Sequence, residues 1–146
     1  MKATFFLILS LFLFKNAAIS QNWETDFEIA KKTATEQNKP IILVFQGSDW
    51  CAPCIKLDRE IWSTAEFDTY SKEHYVMLQA DFPRKSKNKF SEAQQQQNNA
   101  LAEKYNTQGY FPFVVILDKN GNVLGETGYE KTTVSNYIEK LNSFIK

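Results

Sequence analysis

Apolar residues recur along the chain with two spacings, and each spacing predicts its own kind of element. Trp23, Phe27, Ala30 and Ala34 return every three or four positions, which predicts an amphipathic helix over 23–37, with Asn22 as N-cap and Lys39-Pro40 as the stop. Residues 41–45 then read Ile-Ile-Leu-Val-Phe without a polar break, as expected of a strand covered on both faces and central in its sheet. The loop 46–49 leads through Trp50-Cys51-Ala52-Pro53-Cys54 into a helix carrying Ile55, Leu57, Ile61 and Trp62. Ser63-x-x-Glu66 has the form of a capping box that restarts a helix with Phe67 and Tyr70 inward. A second strand over 75–81 follows, parallel to the first across a right-handed crossover.

Beyond Pro83, Arg84, Lys85, Lys87 and Lys89 crowd a segment that reads as a solvated loop. Ser91 can cap a helix to Tyr105, with Ala93, Ala100, Leu101 and Tyr105 as its buried stripe; the glutamine run 94–97 is too short to argue for disorder. Residues 113–117 are a strand, Asn120-Gly121 signals a type I′ hairpin, and 122–127 returns antiparallel. Val134, Tyr137, Ile138, Leu141 and Ile145 then mark a closing helix. This order predicts a three-layer α/β/α sandwich around a mixed four-stranded sheet.

The first twenty residues do not belong to that pattern. Lys2, an apolar run over 3–14, Lys15 and the small residues Ala17, Ala18 and Ser20 read as a signal peptide. The run is well short of the ~20 apolar residues that span a bilayer. Cleavage after Ser20 would leave one exported domain, 21–146, periplasmic or secreted. Its 15 basic and 17 acidic residues give a net charge of −2, with no broad basic field for nucleic acid. Two cysteines and His74, read as a surface residue, cannot complete a four-ligand zinc site, so no metal is expected. Export instead puts the two thiols where disulfides form.

Cys51, at a helix N-terminus, has its thiolate favoured by unpaired N–H groups and is the expected nucleophile. Cys54, one turn on, is the expected resolving thiol, and Pro53 suits the first turn. A static disulfide is the alternative, though a loop this short constrains the unfolded chain little.

Residues 41–54 (IILVFQGSDWCAPC), with the Gly-x-x-Pro element 109–112 and the hairpin, resemble the thioredoxin superfamily. Gly47-Ser48-Asp49-Trp50-Cys51, Lys56-Leu57, the run from Asp81 to Arg84, and Leu101-Ala102-x-Lys104-Tyr105 resemble its exported bacterial members in particular. The resemblance covers residues 23–146. It implies a cis peptide bond at Pro112, Phe111 offering backbone groups to a substrate strand, and Gly128 admitting substrate backbone; Trp50, by its place just before the pair, can shield one side of the sulfur. It also exposes departures. The family's buried Asp, six residues before the first cysteine, is Phe45 here, and its partner lysine, counted back from Asp81, falls at Met77. Water or Asp49 is then the expected acceptor of the Cys54 proton. The segment 109–112 is one residue longer than the usual Gly-x-Pro.

The leading expectation is an exported thiol:disulfide oxidoreductase needing no cofactor beyond the redox-active Cys51–Cys54 pair. Ala52-Pro53 lacks the histidine of strongly oxidising relatives and favours a reductase of protein or peptide disulfides. A membrane electron transporter is the expected donor, and the protein is expected to act as a monomer. The competing readings are an adaptor module that binds unfolded chains through Trp50, Phe111 and Phe113, and a secreted domain whose disulfide is structural.

Overall fold

The computed structural model describes residues 22–146, so the signal peptide expected over 1–20 lies outside the described residues. Five strands and five α-helices follow in the order β1 (Trp23–Glu24), α1 (Phe27–Gln37), β2 (Ile41–Gln46), α2 (Ala52–Leu57), α3 (Ala65–His74), β3 (Val76–Asp81), α4 (Glu92–Tyr105), β4 (Phe113–Leu117), β5 (Val123–Thr127) and α5 (Val134–Phe144). The sheet order is β1-β3-β2-β4-β5, parallel among the first three and antiparallel beyond. The apolar run of β2 is central, as its pattern predicts.

Side chains alternate across this sheet and build two cores. Ile42, Val44, Met77, Val114 and Ile116 face α2, the stretch 58–62 that follows it, α3 and α5, where Leu57, Trp62, Phe67, Tyr137 and Leu141 cover them. Leu43, Phe45, Leu78, Ala80 and Val115 face α1 and α4, meeting Ala30, Ala34, Leu101 and Tyr105. The result is the three-layer sandwich. Among the described residues no helix is long and apolar enough to cross a membrane.

Several sequence expectations change. The sheet has five strands, because Trp23 does not start a helix: it pairs in register with Met77 and meets the Trp62 ring edge-on, centroids 6.1 Å apart. The helix begins after Asp26, whose carboxylate accepts from Ile29 N at 2.9 Å, so Asp26 and not Asn22 is the N-cap. After α2 the chain widens into one π-helical stretch, Asp58–Trp62, which buries both Ile61 and Trp62 and leaves Ile55 exposed. Thr64, not Ser63, caps α3. The β4–β5 turn is not type I′: Gly121 N donates to Asp118 O, Gly121 alone of the turn has a left-handed φ (+87°), and the Asp118 carboxylate accepts from Asn120 N and Asn122 N. That is a three-residue loop with glycine at its left-handed position.

In α4 the alanines 93 and 100 are exposed, and the buried stripe is Asn98, Leu101 and Tyr105. Asn98 can be buried because its amide donates to Asp81 O at 2.9 Å and accepts from Gln94. The glutamines are structural too. Gln97 accepts from Phe27 N at 2.7 Å, and Gln94 donates to Thr25 O at 2.9 Å, tying α4 to the start of α1.

Candidate active site

The site begins where β2 leaves the sheet at Gln46. Gly47 O accepts from Trp50 N (3.2 Å) and Cys51 N (2.9 Å), closing a turn that delivers Cys51 to the start of α2. Cys51 has extended backbone (φ −87°, ψ 101°) and is the N-cap: its sulfur accepts from Cys54 N at 3.3 Å, and its carbonyl accepts from Ile55 N. Pro53 in the first turn forfeits no helical hydrogen bond. Cys51 and Cys54 form a disulfide with Cα atoms 5.2 Å apart. Exposure does not separate the two residues, at 4% and 3%; the cap does. An N–H aimed at the Cys51 sulfur stabilises its thiolate over its thiol once the bond is reduced.

Trp50 forms one wall. Its Nε1 donates to Phe82 O at 2.8 Å, the Arg84 guanidinium lies 3.7 Å from a ring centroid, and Phe111 meets it edge-on at 5.6 Å. Gly47 is what makes room for this indole, since a Cβ there would stand under 3.0 Å from three of its atoms. The Phe111–Pro112 peptide is cis. Gly128 lies beside it, a Cβ on Gly128 falling 3.4 Å from Pro112 O, and its own carbonyl accepts from Tyr137. Burial pushes the Tyr137 hydroxyl far above the ordinary tyrosine range, so it remains a donor. The extra residue before the proline is Tyr110, held by the buried Asn106, whose side chain both accepts from Tyr110 N (3.0 Å) and donates to Tyr110 O (2.9 Å).

Of the residues singled out from sequence, Trp50 and Phe111 thus touch each other, and Gly128 neighbours Pro112. Asp49 is otherwise engaged. Its carboxylate accepts from Arg84 N (2.9 Å), Lys85 N (3.0 Å) and Asn88 Nδ2 (2.9 Å). These bonds, that from Arg84 foremost, hold it below the usual carboxylate range despite partial desolvation, which weakens it as a base. Phe45 and Met77 are both buried but on opposite faces of the sheet, in different cores. They do not occupy one another's neighbourhood as the counted positions of a replaced ion pair imply, because β2 pairs Phe45 with Ala80 and Ile42 with Met77.

Sequence reasoning uses Asp81, Ser48 and Gly47 only as marks of resemblance and gives them no role at the site. Asp81 ends β3, is buried, and accepts from Ser48 N (2.8 Å) and Ser48 Oγ (2.6 Å), so it clamps the loop before the cysteines. The available signal was an acidic residue closing an otherwise apolar strand, which needs donors if it is buried. Among the described residues no cluster of three or more His, Cys, Asp or Glu is arranged to hold a metal ion.

A central mixed sheet, a dithiol pair capping a helix and a cis-proline alongside define the thioredoxin-fold class of thiol-disulfide oxidoreductases. The comparisons with known proteins agree. A family model described as thioredoxin-like matches residues 22–119. Disulfide bond reductase DsbH of Chlamydia pneumoniae is 37% identical over 130 residues, 89% of this chain and 76% of that protein. A solved structure of a DsbH oxidoreductase superposes with a TM-score of 0.79 at 34% identity, covering 86% of this chain and 85% of that one. The solution structure of a thioredoxin from Thermus thermophilus, at 14% identity and a TM-score of 0.61 over 85% of this chain and 86% of that one, shares the fold. The chain belongs to the thioredoxin-like family, as a thiol-disulfide oxidoreductase.

Proposed function

We propose that the mature domain, 21–146, is an exported reductase of protein disulfides, working in the periplasm or outside the cell. The observation that carries the mechanism is the Cys51 cap, in which Cys54 N is aimed at the Cys51 sulfur. In the reduced protein the Cys51 thiolate attacks one sulfur of a substrate disulfide. The substrate S–S bond breaks, a Cys51–substrate disulfide forms, and the released substrate thiolate takes a proton. Cys54 then loses its proton and attacks Cys51, expelling the second substrate thiolate and leaving the Cys51–Cys54 disulfide. Two electrons pass to the substrate, and a dithiol donor, for which a membrane electron transporter is our candidate, must restore them.

The reducing direction is supported by the similarity to a protein named as a disulfide bond reductase and by Ala52-Pro53, which puts no additional cation between the cysteines. Trp50, Phe111, Pro112 and Gly128 serve as the substrate-facing rim. Asp49 anchors the 84–88 loop, and solvent water takes the Cys54 proton. Trapping tests the scheme. Cys54→Ser should accumulate a mixed disulfide between Cys51 and a disulfide-containing protein, while Cys51→Ser should not. If Cys51→Ser/Cys54→Ser kept full function, the adaptor reading would replace this one.

A further inference from the structure

We propose that segment 84–89 is a basic docking lip that selects polypeptide substrates carrying carboxylates next to their disulfide, a specificity that rests on the reductase reading above. Four cationic side chains, Arg84, Lys85, Lys87 and Lys89, stand within six residues, with no acidic residue between Asp81 and Glu92. All four are exposed, and among the described residues none is in an ion pair. The mature domain is slightly acidic as a whole, so this concentration of positive charge is local. Even counting Asp49, the rim carries a net charge of +3.

The lip is fixed beside the redox pair. Asp49, two residues before Cys51, takes hydrogen bonds from Arg84 N, Lys85 N and Asn88 Nδ2, and Arg84 lies over the ring of Trp50, the neighbour of Cys51. A short 3-10 turn, Ser86–Asn88, sets the backbone that presents Lys85, Lys87 and Lys89. A loop that is only solvated needs none of this anchorage. Here the anchoring carboxylate accepts from the loop's own amides and Arg84 is stacked on Trp50, while Lys85, Lys87 and Lys89 stay exposed and outside any ion pair, which is the arrangement that attracts an external carboxylate. Fields of this kind raise encounter rates with oppositely charged partners and are screened by salt.

The experiment compares two synthetic peptides with the same intramolecular disulfide, one flanked by Glu and the other by Gln, reduced by the mature dithiol protein in single turnover. At low ionic strength the Glu peptide should react about tenfold faster. The ratio should fall towards one as salt shortens the screening length to about 3 Å. In Lys85→Gln/Lys87→Gln/Lys89→Gln the ratio at low salt should also fall to about one. Equal rates for the two peptides in the unmutated protein would overturn the lip, as would a preference that survives in the triple variant. Failure to reduce either peptide would overturn the reductase reading itself, and the lip with it.

Discussion

Gly47→Ala isolates one contact beneath the active-site loop. The new Cβ would stand under 3.0 Å from three indole atoms of Trp50. Gly47 does not have a left-handed φ, so the substitution adds no backbone strain and its cost comes from that collision. The ring must swing away from three partners. Its bond to Phe82 O is worth about 1 kcal/mol, the Arg84 stack about 0.5–1 kcal/mol and the edge contact with Phe111 about 0.5–1.5 kcal/mol. Losing all three bounds the damage at about 3.5 kcal/mol, and partial relaxation gives an expected cost of about 1–3 kcal/mol, as for other overpacked sites. Urea unfolding reads this directly. With a slope of about 2 kcal/mol per M, the midpoint should fall by about 0.5–1.5 M. In a Trp50→Ala background the same change should be nearly neutral, so the double-mutant cycle should return most of the single-variant cost as coupling. Equal costs in the two backgrounds would refute the reasoning.

The remaining predictions concern charge. Asp49→Asn should leave the pH profile of disulfide reduction unchanged, because Asp49 holds the 84–88 loop and does not accept the Cys54 proton; a shifted profile would restore it as a base. Phe45→Asp, which installs the acid found at this position in typical thioredoxins, should cost several kcal/mol by urea unfolding. Adding Met77→Lys should not rescue it, since the two positions lie on opposite faces of the sheet. Asp118 is desolvated, but the bonds it accepts from Asn122, Asn120 and Gly121 prevail and depress its folded pKa below 3.8. Its stabilising contribution is therefore present above that value and lost as pH falls through the folded one. Acid unfolding of Asp118→Asn should consequently be shallower than that of the unmutated protein.

Legibility followed how much a residue's role depends on its near neighbours. The run 41–45 announces a central strand because five consecutive apolar residues need cover on both faces, and Cys51, Pro53 and Cys54 announce a capped dithiol because their relation is set within one turn. Trp23 misled because its spacing to Phe27 suits a helix face equally well, and only Met77 and Trp62, distant in sequence, draw it into the sheet. Asp49 and Asp81 show the same limit. Both are single acids next to the site, and what separates a loop anchor from a buried clamp is the set of donors brought from another segment: Arg84, Lys85 and Asn88 for one, Ser48 for the other. Asn98 is illegible for that reason too, its burial making sense only against Asp81 O.

The reduction potential of the Cys51–Cys54 pair tests the central claim most directly. It is measured by equilibrating the mature protein against defined dithiol/disulfide buffers, with Trp50 fluorescence as the reporter and thiol trapping as the check. A reductase of protein disulfides should titrate reversibly near the thioredoxin value of about −270 mV. A potential near about −120 mV would make the protein an oxidant, and a disulfide that does not titrate while the protein stays folded would contradict the redox role altogether.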